Sequence, residues 1–194
     1  MSKSLGNFFT VREVLEKYAP EVVRYFILTS QYRSPLNYSE EQLEQAKNSL
    51  TKFYSALRDI NIDNTVDWQQ DEEYGTRFKA AMDDDFNTAL ALSVMSDVRQ
   101  GLNKAHEQQQ LEQQRYLAGL LIAFGDVLGL FQQDAASFLA GDSDDAAKIE
   151  GLIAQRNQAR ADKDWAKADQ VRDELTAIGV ILEDAAGKTT WRRV

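Results

Sequence analysis

Along most of the chain, apolar residues return every three or four positions, the spacing that lines one side of an α-helix. Val11, Val14, Leu15 and Tyr18 form a first short stripe, and Thr10 with Glu13 has capping-box spacing at its start. Ala19-Pro20 interrupts it, and Pro20 suits the first turn of a second helix to about Thr29. Val22, Val23, Phe26 and Ile27 are that helix's residues for burial. A polar, aromatic connector from Ser30 to Tyr38 precedes another capping box, Ser39-Glu40-Glu41-Gln42. It opens a long helix to about Ile60, with the stripe Leu43, Ala46, Leu50, Phe53, Tyr54 and Leu57. Asn61 to Gln70 reads as a polar loop. Tyr74, Phe78, Ala81 and Met82 mark a helix ending near Asp83-Asp84-Asp85. Asn87 or Thr88 caps the next, which carries Leu90, Val94, Met95, Val98 and Leu102. Gln108 to Leu130 is the most apolar helix, through Leu117, Leu120, Leu121, Phe124, Val127 and Leu128. Long helices with short links predict an antiparallel bundle.

The pattern changes after Gln132. Gln132 to Asp144 reads as a linker, and its polar end at Gly141-Asp142-Ser143-Asp144-Asp145 is the best domain boundary. A helix from about Asp145 to Arg160 follows, with Ile149, Leu152 and Ile153 inward. Asp162-Lys163-Asp164 forms a tight turn. A second helix, capped by Asp164, spans Trp165 to Ile178, and Gly179 is placed to end it in the left-handed conformation. Val180 to Glu183 and Thr189 to Arg192 read as two strands joined by Asp184 to Lys188. The expected fold is mainly α: an antiparallel helical bundle over residues 36–131, then a small α+β domain over 145–194, with 1–35 as a separate leading segment.

Composition supports a helical core, since 43% of the 194 residues are apolar and only two are proline. No apolar run approaches the roughly 18 residues that span a bilayer, and no basic stretch leads into an apolar one. No membrane partner is therefore expected. The absence of cysteine excludes disulfides and cysteine-ligated metals in this stretch. The sole histidine, His106, sits in a polar run and reads as solvated helix surface, so no metal site is expected. Asp83-Asp84-Asp85 offers hard oxygen ligands but lacks the spaced donors and turn glycine of an oxygen-ligand loop. It therefore reads as a join between two helices that sets negative charge at the N-terminus of the second. The net charge of −9 argues against nonspecific nucleic-acid binding. It is unevenly spread, however: Arg156 to Val194 holds eight Lys/Arg against seven Asp/Glu. If any part meets RNA by charge, it is this tail.

Two places carry candidate chemistry. In Met1-Ser2-Lys3-Ser4-Leu5-Gly6-Asn7, two hydroxyls flank one ammonium before a Gly-Asn turn. Ser2, Lys3 and Ser4 supply donors for phosphate oxygens, and Lys3 could follow the charge that develops on a triphosphate attacked at its α-phosphorus. The alternative is an ordinary Ser-rich stretch. In the tail, Trp165 supplies a plane for stacking and Arg160 a planar fork of donors, while Asp169 and Asp184 are acceptors for base amino groups. Against this stand a core tryptophan locking the helical hairpin and two solvated surface acids.

Met-Ser-Lys-Ser-Leu-Gly-Asn resembles the second signature loop, KMSKS, of class I aminoacyl-tRNA synthetases, whose full form has one more Lys in front. Tyr32-Arg33-Ser34-Pro35-Leu36-Asn37-Tyr38-Ser39, Met82-Asp83-Asp84-Asp85-Phe86-Asn87-Thr88, Gly179-Val180-Ile181-Leu182-Glu183-Asp184 and Thr189-Thr190-Trp191-Arg192-Arg193 are similar, in that order, to cysteinyl-tRNA synthetases. The resemblance covers essentially the whole chain. It implies a C-terminal fragment, starting inside that loop, of a cytoplasmic enzyme that activates cysteine with ATP and Mg and esterifies it to tRNA(Cys). The nucleotide-binding fold and one cysteine-selecting Zn would lie upstream, in a missing N-terminal catalytic domain, with no cofactor expected on this fragment. Carried over by position, Lys3 matches the catalytic loop lysine, with Ser2 and Ser4 beside it at the ATP. Residues to about Pro35 match the stem-contacting segment and Ser39 to Leu130 the bundle along the tRNA. Arg160, Trp165, Asp169 and Asp184 fall where the family reads the anticodon GCA, and Trp191 and Arg192 in its final strand. Ala89 replaces a common helix-starting proline, and Ala185-Ala186-Gly187-Lys188 lacks the family's Pro-Gln-Gly turn. Two other readings are a synthetase-like ligase joining cysteine to a sugar amine, and a non-catalytic helical interaction module.

Overall fold

A computed structural model of the chain describes residues 10–140, 146–185 and 188–193, and the chain forms two units, one to Gln132 and one from Gln133. Ser2, Lys3 and Ser4 lie outside the described residues.

The first unit is a bundle of α1 (Val11–Lys17), α2 (Pro20–Leu28), α3 (Glu40–Leu57), α4 (Tyr74–Asp83), α5 (Thr88–Glu107) and α6 (Leu111–Leu128). Local chemistry fixes its helix starts. The Thr10–Glu13 capping box closes in both directions, Pro20 occupies the first turn of α2, and the Ser39 hydroxyl accepts from the Gln42 amide. Asn87, not Thr88, caps α5, its side chain accepting from the Leu90 amide. Gly129 ends α6 in the left-handed conformation, which spares the Cβ strain of other residues.

Packing joins α2 to α3, α4 to α5 and α5 to α6. All six residues of the expected α3 stripe are buried, as are Val94, Met95, Val98 and Leu102 of α5. Aromatic rings fill two places in this core. Phe78 and Phe124 stack with centroids 4.2 Å apart, and Trp68 meets both edge-on. Phe131 lies against Phe53 and Tyr54, at 5.5 and 5.7 Å. Trp68 falls in the stretch read as a polar loop. A short 3-10 turn, Trp68–Gln70, capped by Asp67, carries the ring inward.

Two carboxylates bind the bundle together. Glu21 is buried in α2, accepting from the Tyr54 hydroxyl of α3 at 2.8 Å and from the backbone N–H of Phe131 beyond α6. Residues 20–28 and the bundle therefore share one core. Asp71 accepts from the Tyr116 hydroxyl at 2.6 Å and from the Gly75 and Glu73 amides at 2.8 and 3.1 Å. Partial burial pushes its carboxyl up, but the Tyr116 and backbone hydrogen bonds outweigh this and hold it below the ordinary aspartate value. Burial, reinforced by the Asp71 carboxylate, pushes the Tyr116 phenol up to about 12.

The second unit has its own core. Its elements are α7 (Ala135–Ala140), α8 (Ala146–Ala161), α9 (Trp165–Ala177), β1 (Val180–Ala185) and β2 (Lys188–Arg193). The strands pair antiparallel, in the register Leu182 with Trp191 and Asp184 with Thr189. Ile149, Leu152, Ile153, Val171, Leu175, Val180 and Trp191 make the core, with Ala140 and Leu182 packed on it. The expected linker is thus partly structured, because α7 buries Leu139 and packs against β2. Both strands run longer than their apolar cores suggested. Among the described residues, no helix is long and apolar enough to cross a membrane.

Candidate nucleic-acid interface

The turn between α8 and α9 is built almost wholly from local hydrogen bonds. The Asp164 amide reaches the Ala159 carbonyl at 2.8 Å, and Lys163 adopts a left-handed φ of 61°. The Asp164 carboxylate then caps α9 by accepting from the Lys167 amide at 3.1 Å. This presents Arg160, in the last turn of α8, and Trp165, the first residue of α9, on either side of one tight bend. Arg160 is exposed, and its charge suits the negative end of the α8 dipole.

Trp165 is 61% exposed, since the buried stripe of α9 begins only at Ala168 and continues through Val171 and Leu175. It is not the tryptophan that locks this unit. Trp191 holds that place: it is buried, and its Nε1–H donates to Glu150 of α8 at 2.7 Å. Burial and that bond leave the Trp191 ring little surface for stacking on anything else. Asp169 lies on the exposed side of α9, 3.0 Å from Arg172 one turn on. Exposed pairs of this kind are weak, so the carboxylate is easily recruited elsewhere. For Asp184 and Arg192 only the strand positions are described, opposite Thr189 and Ile181.

One contact at this face escaped the reading of the residues. Asn157, exposed on α8 three residues before Arg160, accepts at its Oδ1 from the Thr189 hydroxyl at 3.3 Å. The helical spacing to Arg160 was a usable signal; the partner on β2 was not.

The acidic run in the first unit is divided among protein partners. Asp83 pairs with Lys79, and Asp84 accepts from the Asn87 amide at 3.2 Å. Asp85 accepts from Gln31 at 3.1 Å and Tyr32 at 3.0 Å, and lies 3.2 Å from the Arg33 guanidinium. Of the three, Asp85 fastens the α4–α5 turn to the connector after α2, while Asp83 and Asp84 are held within α4 and the turn itself. Among the described residues, no group of three or more His, Asp or Glu is arranged to hold a metal ion. His106 faces the Gln114 side chain at 3.4 Å on the outer side of α5.

Three family models match the chain in succession. That for a tRNA synthetases class I (C) catalytic domain covers residues 1–48, a DALR domain covers 77–132, and a cysteinyl-tRNA ligase anticodon binding domain covers 142–192. The chain is 51% identical to the cysteine–tRNA ligase of Colwellia psychrerythraea, 52% to that of Idiomarina loihiensis and 55% to that of Thioalkalivibrio sulfidiphilus. Each match takes in 100% of the chain but 42% of the relative, so the chain spans about two fifths of the length of these proteins. Ordered matches along the whole sequence, at this identity, mean that the chain belongs to the cysteine–tRNA ligase family.

Proposed function

We propose that this chain is the tRNA-binding C-terminal portion of a cysteine–tRNA ligase, a cytoplasmic enzyme that activates cysteine with ATP and transfers it to tRNA(Cys). The observation that carries the reading is the exposed tryptophan beside an arginine at the α8–α9 turn, within the segment matched by the anticodon-binding model. A solvent-facing indole next to a planar cation suits unpaired bases, which are stacked upon and read at their edges. Asp169 and Asp184 accept from base amino groups, and Arg160 donates to base acceptors. Arg192 joins them from β2, while Trp191 acts from beneath by fixing the hairpin to α8.

Upstream of these, the bundle over 36–131 runs along the tRNA and residues 1–35 join it to the catalytic side. Ser2, Lys3 and Ser4 attend the ATP phosphates, with Lys3 following charge in the transition state. ATP brings the activating phosphoryl chemistry, with Mg on its phosphates. With no cysteine and one histidine the chain offers few of the ligands zinc favours, and the Zn is assigned to the remainder of the parent enzyme. The anticodon-domain match weighs against a sugar-amine ligase and against an accidental loop in an interaction module.

The chain alone should form no cysteinyl adenylate, and cysteine-dependent pyrophosphate exchange by the purified chain would contradict this. Recognition is tested by mobility shift with tRNA(Cys). Trp165→Ala or Asp184→Ala should each weaken binding by roughly 1–3 kcal/mol. Unchanged affinity in both variants would remove the assigned roles.

A further inference from the structure

Asn157 stands beside the proposed reading surface with one end already held. It is exposed on α8, three residues before Arg160, and therefore on the neighbouring part of the same helix face. Its Oδ1 accepts from the Thr189 hydroxyl at 3.3 Å, so the amide is oriented across the gap between α8 and β2. Thr189 is in turn the register partner of Asp184. One contact thus links the helix that carries Arg160 to the strand pair that carries Asp184. With Oδ1 engaged, the Nδ2 group has two N–H donors for an incoming acceptor.

We infer that Asn157 is a further specificity-determining residue of this surface, donating its side-chain amide to a carbonyl oxygen or ring nitrogen of an unpaired nucleobase, with Thr189 as its positioning residue. The inference rests on the anticodon reading given above. An asparagine is suited to the task because its amide is neutral, short and planar. It reads a base edge without adding charge that would attract phosphates indiscriminately. Anchoring one end removes the rotamer freedom that a surface asparagine otherwise loses on binding.

The test is equilibrium binding of the full chain to tRNA(Cys) and to tRNAs altered at each anticodon base in turn. Asn157→Ala should raise Kd for the GCA form about ten-fold. It should also erase the discrimination at one base while keeping it at the others, as a double-mutant cycle would show. Thr189→Val should reproduce part of that loss, and Thr189→Ser, which keeps the hydroxyl, should restore it. The thermal midpoint of Asn157→Ala should match the parent, because the side chain is exposed. Discrimination at every base retained by Asn157→Ala, in a parent chain that does discriminate, overturns this inference alone. A parent that binds all anticodon variants alike overturns the anticodon reading, and this inference with it.

Discussion

Glu21 illustrates how a single carboxylate couples segments far apart in the chain. Its carboxylate accepts hydrogen bonds from the Tyr54 hydroxyl and from the backbone N–H of Phe131, both in the buried interior. Replacing it with alanine strands two donors, each worth about 1–3 kcal/mol when left without a partner. Glu21→Ala should therefore lower the urea midpoint far more than Glu41→Ala on the exposed start of α3. Gly75 is constrained differently: an added Cβ would overlap the Trp68 carbonyl oxygen. Gly75→Ala should cost about 1–3 kcal/mol through forced backbone displacement, read in the same titration. Tyr116 makes a pH prediction. Its folded value of about 12 lies above the ordinary value of 10.0, so its contribution is complete below pH 10 and fades as pH rises towards 12. Asp71, held low, works the other way: its contribution persists above the ordinary aspartate range and is lost on acidification through the depressed value. Tyr116→Phe should lower stability at neutral pH but flatten the alkaline decline, which circular dichroism between pH 9 and 12 would follow.

At the scale of elements, periodicity gave direction on a helix but not the presence of a partner. The α3 stripe was legible in full because one helix is enclosed on that face by its neighbours. On α1, α2, α5 and α6 the same rule overreached, and Val11, Leu15, Ile27, Leu90 and Val127 are exposed. Each lies at the edge of its helix's apolar arc, where burial depends on what packs alongside. Caps were readable because they use chemistry within three residues, as at Thr10, Ser39 and Asp164. Ser39→Ala should cost about 1 kcal/mol, seen as a lower melting temperature. The short α7 was invisible because it contributes a single buried residue, Leu139, too few for any stripe. Trp68 was hidden for a related reason, since polar neighbours masked a ring that packs edge-on against two phenylalanines.

Across the molecule, the helical bundle and the small α+β unit were both visible in the sequence, as two sets of apolar stripes on either side of a polar stretch. The proposed reading surface was visible only in part. Arg160 and Trp165 could be nominated from residue type, but their placement about one turn follows from the Lys163 and Asp164 geometry. Which tryptophan is core and which is exposed needed the fold, for Trp165 and Trp191 have similarly mixed neighbours in the chain. The Asn157–Thr189 contact joins residues 32 apart in sequence and has no local signal. With a chain charge of −9, attraction to phosphates is not what should drive binding. Base-edge contacts from the second unit should dominate, and discrimination should survive added salt even as overall affinity falls.

The central claim is that the second unit reads an anticodon, and a paired titration tests it most directly. The chain is titrated against tRNA(Cys) and against the same tRNA with only its anticodon replaced, at one fixed salt concentration. The account predicts weaker binding to the swapped tRNA by at least about ten-fold, the scale of one lost base contact. Equal affinity for the two would contradict it.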